Sequence, residues 1–332
     1  VRRDIEVPLL RIAASEQIDR IYAESYALWG AGLKFPDYRE FWNDLARTPW
    51  ARRALSFHVW CDDDGAVLSS LKLYQPRVRL AGKVGNVAGI GAVFTPKRAR
   101  RRGHASEMIR AVIEQAGARG DLAALLFSDV GTKIYASLGF RDIPAEEAWG
   151  RLDRKAPGPP AGWVLRPMAP ADLELARQVR DDECGGRPFA VLRDREHWEY
   201  LYERSRNFFA RLDGSDLSRR FTLAMQDGNR AGYLVAVESG DVWVVREAGA
   251  VGGDPERLAA VLRAGANDAR SRGMRRVYGW IPREVSTLVP EWRLTFKKRE
   301  RAIPMLLRLD GSDDLSLLDA PEAAFIPYLD QF

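Results

Sequence analysis

Arg100-Arg101-Arg102-Gly103-His104-Ala105 sets three guanidinium groups, a glycine and the start of a helical pattern side by side, a combination suited to holding phosphate groups. Upstream, Val87 to Phe94 (VAGIGAVF) is apolar, glycine-spaced and uncharged, the pattern of a buried strand. Downstream, Ala105, Met108, Ile109, Val112, Ile113 and Ala116 recur at helical spacing. The arginine run is therefore a turn between a strand and a helix N-terminus. The first amides of a helix have no internal acceptor and the helix dipole adds partial positive charge, so an anion there gains hydrogen bonds and field together. Gly103 lets the backbone approach it closely. A nucleotide-triphosphate loop would need G-x-x-x-x-G-K-[ST], and a dinucleotide fold G-x-G-x-x-G followed by an acidic residue; neither is present.

The elements that position this turn continue past it. Gly117, Gly120 and Asp121 stop the helix, and Leu122 to Phe127 (LAALLF) reads as a second buried, parallel strand ending at Ser128-Asp129. A short helix follows, with Gly139 as its left-handed cap. The arginine loop fits R-x-x-G-x-G/A, and Tyr135-Ala136-Ser137-Leu138-Gly139-Phe140 fits Y-x-x-x-G-F. Together they resemble the two signatures of the GNAT N-acetyltransferase superfamily. The resemblance implies acetyl-CoA bound in the gap between two splayed parallel strands. Its pyrophosphate would lie on the backbone of Arg101 to Ala105 (Arg101, Arg102, Gly103, His104, Ala105), with Arg100 and Arg102 adding field, and its pantetheine arm along Val93, Phe94 and Thr95. It also implies that Tyr135 faces the thioester sulfur. A phenol with pKa near ~10 is protonated at neutral pH and can donate to a leaving thiolate.

The 332 residues predict about two domains. A proline- and glycine-rich linker at 154–162 (RKAPGPPAG) separates similar halves, 1–153 and 163–310, with a tail at 311–332. Gly65 to Tyr74 compares with Gly228 to Val237, and Ala105 to Phe127 with Pro255 to Ile281. The expected fold class is α/β (α+β): two tandem GNAT-like domains, each a mixed twisted sheet with flanking helices. In the second half the arginine loop is replaced by Gly252-Gly253-Asp254-Pro255-Glu256, whose carboxylates reverse the local field, and nothing after Trp280 reproduces Y-x-x-x-G-F. That half is expected to bind no CoA and to act as a wall of the acceptor cleft. Tandem proteins with both signatures in the first half include the enhanced-intracellular-survival family and the fungal lysine N6-acetyltransferases. The phrases VFTP and LLFSDVG resemble the latter more closely. Only 22 residues follow Asp310, too few for the third domain of the survival family, so its hexameric assembly and broad amine specificity are not implied.

Only eight of the 51 basic residues are lysine, so the net charge of +5 reflects an arginine bias rather than a nucleic-acid surface, and no basic stripe with interleaved aromatics occurs. Two cysteines, Cys61 and Cys184, suit a reducing compartment without a disulfide. No apolar run could span a bilayer and residues 1–20 lack a signal-peptide core, so a cytoplasmic monomer or homodimer without membrane, nucleic-acid or metal partners is expected. The chain opens on Val1, so a short N-terminal trim is expected as well.

Ser15 to Trp29 and Tyr38 to Ala46 read as helices, and Leu71 to Leu80 as a strand turning through AGKVG into Asn86 to Phe94. Tyr26, Trp29, Phe35, Tyr38, Phe41 and Trp42 crowd the helix connection, which by resemblance lines the acceptor site, with Tyr26, Trp29 and Phe35 the residues assigned to it. An acceptor amine with pKa near ~10.4 arrives protonated, so a base is needed. Asp129 is one candidate base or anchor. His104 is expected to face solvent, and His58 and His197 to be structural. For the tail, acidic at Asp313, Asp314, Asp319, Glu322 and Asp330 and carrying Phe325, Tyr328 and Phe332, two readings stand: it packs on the second half or frays as chain ends do, or it folds into the first half's cleft. By resemblance to the survival family, the Phe332 carboxylate would then take the amine's proton. The expected function is acetylation of a small-molecule primary amine, of an amino acid such as lysine or an aminoglycoside-like polyamine. The alternative is a non-catalytic acetyl-CoA-sensing or scaffold protein whose second domain binds a partner.

Overall fold

The computed structural model describes residues 9–153, 155–215, 219–312 and 314–332; Arg154 of the linker and Asp313 of the tail lie outside them. The first half contains β1 (Leu9–Ile12), α1 (Ser15–Trp29), α2 (Phe35–Ala46), α3 (Pro49–Ala54), β2 (Leu55–Cys61), β3 (Val67–Tyr74), β4 (Arg77–Leu80), β5 (Lys83–Phe94), α4 (His104–Ala118), β6 (Ala123–Ser128), α5 (Lys133–Ala136), β7 (Arg141–Asp142) and β8 (Glu146–Arg151). The second contains β9 (Trp163–Pro167), α6 (Leu173–Cys184), β10 (Phe189–Leu192), α7 (Arg195–Leu212), β11 (Phe221–Gln226), β12 (Asn229–Ser239), β13 (Val242–Ala250), α8 (Pro255–Ser271), β14 (Arg276–Gly279), β15 (Thr295–Lys298), β16 (Ile303–Arg308) and β17 (Ala324–Phe325).

Local chemistry sets the boundaries. α2 begins at Phe35, ahead of the expected Tyr38, because Pro36 sits in its first turn, where a missing N–H costs nothing. The expected strand from Leu71 to Leu80 is instead two, β3 and β4, interrupted at Gln75-Pro76: Pro76 has no N–H to offer a ladder. β4 turns into β5 through Ala81 and Gly82, both at positive φ (51° and 79°), as a tight hairpin requires.

Two mixed sheets form, one in the order β1-β2-β3-β5-β4-β10-β17 with β6, β16 and β7 alongside β5, the other β15-β8-β14-β13-β12-β11-β9. The parallel pair β5/β6 flanks α4, and the parallel pair β13/β14 flanks α8, so the chain repeats one unit twice. The sheets do not divide at the linker. β8 leaves the first half to pair with β14 and β15, β16 returns to pair with β6 and β7, and β10 pairs with β4. One buried cluster likewise spans both halves, joining Tyr22, Phe41 and Trp50 to Trp198, Phe221 and Tyr233. The linker is tied down by Arg270, which donates to the carbonyls of Asp153, Ala156 and Pro157. Cys61 and Cys184 are free and buried. Among the described residues no helix is long and apolar enough to cross a membrane.

Candidate active site

β5 and β6 pair in register from Val87↔Ala123 to Ile90↔Leu126 and then part. β5 departs because it bulges: Ser70 of β3 lies opposite Phe94 while Lys72 lies opposite Gly91, so two residue steps on β3 face three on β5. Ala92 absorbs the extra residue at φ 49°, in the left-handed region. A bulge leaves main-chain groups without ladder partners, here at Ala92 and Val93, both of which line the resulting cleft of ≈ 310 Å³.

The arginine loop stands at the far end of β5. Arg101 and Gly103 take φ 61° and 83°, and Gly103 caps α4, so the chain turns back on itself with the first amides of α4 pointing outward. A Cβ at Gly103 would meet only Glu107 Oε1, at 3.9 Å, so the seat is open. Arg101 and Arg102 are exposed and form no ion pair among the described residues. Arg100 instead closes the loop on itself, its Nε donating to the Thr95 carbonyl at 3.0 Å. Ser69 fixes the strand end, donating to the Phe94 carbonyl at 2.9 Å and lying 3.1 Å from the Thr95 hydroxyl. His104 does not face solvent as expected. Its side chain is 12% exposed, and both ring nitrogens are buried without a hydrogen-bond partner, because α4 lies down on the sheet and carries its first residue with it. Open backbone and free guanidinium groups together fit a bound pyrophosphate.

At the other end of the cleft, α5 presents Tyr135, its ring edge-on to Phe140. Burial, and then the nearby Asp129, push the Tyr135 phenol above its ordinary pKa. Asp129 lines the cleft too; its Oδ1 accepts from the Ala302 amide at 2.8 Å, which leaves Oδ2 for another partner.

The tail reaches the same cleft. Phe332 stacks on Tyr74 (4.9 Å, 17°) and meets Phe127 edge-on at 5.1 Å. Two glycines make room for this stack: a Cβ at Gly89 would lie 2.7 Å from the Phe332 ring, and one at Gly91 would lie 3.0 Å from the Tyr74 ring. The glycine spacing of β5 is therefore the floor under Phe332. Arg299, Arg246 and Arg204 donate to the carbonyls of Ile326, Tyr328 and Gln331, and the Asp330 carboxylate takes Arg180 and Arg193. Among the described residues, no acidic side chain of the tail lines the cleft: Asp330 is spent on those arginines, and Asp314 on the Ser316 amide.

Of the three aromatic residues expected at the acceptor site, Trp29 lines the cleft and Tyr26 and Phe35 do not. The Tyr26 hydroxyl is spent on the Leu33 carbonyl and its ring packs against Phe35 and Tyr38, so this pair braces the α1–α2 connection. Trp42, another of the aromatic residues crowding the connection, lines the cleft too, as do Tyr74 and Lys72, which nothing in their own sequence neighbourhood singles out. His58 is buried on β2, and His197 stacks on Trp50 at 4.1 Å; both are structural. In the second half Asp254 caps α8, accepting from the Glu256 amide at 2.9 Å, and so places carboxylates where the first half has its anion seat. Tyr328 packs on Tyr278 of β14, its hydroxyl shared with Tyr278 and Glu147.

The family model described as acetyltransferase (GNAT) domain matches residues 11–143. No curated protein matches the chain by sequence. Among solved structures, a probable N-acyltransferase of Enterococcus faecalis is similar at TM-score 0.69 and 13% identity, over 92% of this chain and 73% of that one. A GCN5-related N-acetyltransferase of Anabaena variabilis gives 0.68 and 15%, over 91% and 73%. Eis1 of Mycobacterium abscessus gives 0.57 and 13%, over 91% and 74%. These likenesses run across both halves and establish the shared fold. Residues 11–143 match an acetyltransferase domain of the GNAT type, and both halves share the fold of these structures.

Proposed function

We propose that this enzyme acetylates a primary amine of a small molecule, of an amino acid such as lysine or an aminoglycoside-like polyamine, by direct attack of the amine on acetyl-CoA. The observation that carries the reading is the parting of β5 and β6 with an anion seat at one end and a protonated phenol at the other. When bound, acetyl-CoA supplies an acetyl group activated as a thioester. The amides of Arg101 to Ala105 and the free guanidinium groups of Arg101 and Arg102 would hold its phosphates, and the bulge at Ala92 and Val93 would offer it main-chain donors. Tyr135 keeps its proton at neutral pH and gives it to the departing sulfur.

The acceptor's ammonium must lose a proton before it can attack. We assign that proton to the free Asp129 Oδ2 or to the Phe332 carboxylate, the two carboxylates at the cleft. Trp29 supplies a ring face that favours a cation while it is still charged. In functional terms residues 1–153 carry catalysis, 163–310 form a degenerate partner, and 311–332 deliver Phe332. The free cysteines suit a cytoplasmic enzyme, acting as a monomer or homodimer.

The test is thiol release from acetyl-CoA across a panel of amino acids, polyamines and aminoglycosides, with product mass read in parallel. The reading requires one class of primary amine to stimulate release and to gain an acetyl group. Acetyl-CoA bound without amine-dependent release from any member would point to a sensor.

A further inference from the structure

Lys72 is the one buried lysine of the chain; Lys34, Lys83, Lys97, Lys133, Lys155, Lys297 and Lys298 are all exposed. It stands on β3 opposite Gly91, beside the bulge at Ala92, and shares the face of β3 that carries Tyr74. It lines the same cleft as Tyr135 and Phe332. Its Nζ lies over the Trp42 ring, 2.7 Å from the centroid, with Phe57 and Tyr22 at 5.3 and 5.9 Å. No carboxylate pairs with it among the described residues, and burial alone pushes its ammonium well below the ordinary lysine pKa. A buried amine that loses its charge is nucleophilic, and the functional reading above gives this one no role.

We propose that Lys72 is a self-acetylation site, taking the acetyl group of acetyl-CoA bound in the cleft when no small-molecule acceptor is present. The inference rests on the acetyl-CoA reading above. Neutral Nζ attacks the acyl carbon, an N–C bond forms and the C–S bond breaks. The leaving thiolate takes the Tyr135 proton, and the proton lost from Nζ restores the phenol. The products are an amide and CoA thiol. The environment suits the product, because an amide carries no charge to desolvate, and the Ser70 hydroxyl, buried without a hydrogen-bond partner two residues away on the same face, is a ready donor to its carbonyl. An acetylated Lys72 would lengthen into the space between Trp42 and Phe332 and obstruct an incoming amine.

The full chain is incubated with acetyl-CoA and no amine at neutral pH, and acetylation is read by intact mass and peptide mass spectrometry, with acetyl-CoA binding measured separately by calorimetry. One acetyl group per chain, on Lys72, is expected. It should be lost in Lys72→Arg and Lys72→Met variants whose melting confirms that they fold, and slowed in Tyr135→Phe. Bound acetyl-CoA with Lys72 unmodified, or acetyl groups spread over the exposed lysines alone, would overturn the proposal and leave the acetyl-CoA reading standing. Absence of acetyl-CoA binding would overturn both.

Discussion

Asp330→Ala should destabilise the protein by several kcal/mol although Asp330 lies near the end of the tail. The side chains of Arg180, Arg193, Glu247 and Asp330 are at most 1% exposed. Asp330 accepts from Arg180 Nη2 at 2.8 Å and from Arg193 Nη2 and Nε at 2.6 and 3.0 Å. Glu247 accepts from both arginines and from the Tyr233 hydroxyl at 2.6 Å. Burial by itself would raise the Glu247 carboxyl, but Arg180 and Arg193 outweigh it and hold the group below its ordinary range. Two cations and two anions thus balance in a dry site, and removing Asp330 leaves one positive charge unpaired. Breaking a buried pair from one side costs about 3–5 kcal/mol, a large part of a folding free energy of about 5–15 kcal/mol. Urea denaturation at pH 7 measures the loss. Arg193→Met in the same chain restores neutrality, so the double variant should lose at least about 1 kcal/mol less than the sum of the single losses. A loss below about 1 kcal/mol for Asp330→Ala, the scale of a surface pair, would refute the view that this network anchors the tail.

Gly103→Glu should abolish acetyl-CoA binding, because a side chain is strained at φ 83° and a carboxylate repels phosphate, while Asp254→Ala should leave a single site per chain unchanged; calorimetry giving two sites would contradict the degenerate second half. Removing Phe332 alone, which spares the Asp330 network, should lower kcat/KM at least ~10²-fold with acetyl-CoA affinity intact, and wild-type kinetics would end its catalytic assignment. Burial raises the Glu183 carboxyl to about 8, against an ordinary 4.5. The folded state therefore binds the extra proton between those values, and stability falls by a few kcal/mol at most as pH rises from about 4.5 to about 8. Glu183→Gln should match wild type near pH 5 and exceed it above pH 8 in thermal melts, and parallel profiles would show that the group is not so perturbed.

What the sequence made legible is what depends on near neighbours. Arg100 to Ala105 and Tyr135 to Phe140 each need a glycine at positive φ within a few residues, and the adjoining apolar periods show where strand gives way to helix. The bulge at Ala92 left no mark, since alanine at φ 49° is imposed by the pairing of β5 with β3 rather than by any local preference. Nothing local marks Lys72 or the arginines Arg180 and Arg193 as interior residues, because composition cannot show that the halves close over them. The exchange of β8 and β16 between sheets was equally hidden: each is a short strand whose partner lies more than a hundred residues away in sequence. The tail's aromatic residues did signal an anchored segment. Its acids misled, because the charge of Asp330 is consumed by the clamp that holds it.

Tyr135 is proposed to act on the chemistry rather than on the fold, and the rest of the mechanism depends on that role. The direct measurement is steady-state turnover of Tyr135→Phe beside its acetyl-CoA affinity by calorimetry, using whichever amine the panel identifies. Unchanged affinity is expected together with a kcat lower by ~10²–10⁴-fold, the range for losing a general acid. Turnover within a few-fold of wild type would contradict the proposed role and make the hydroxyl structural.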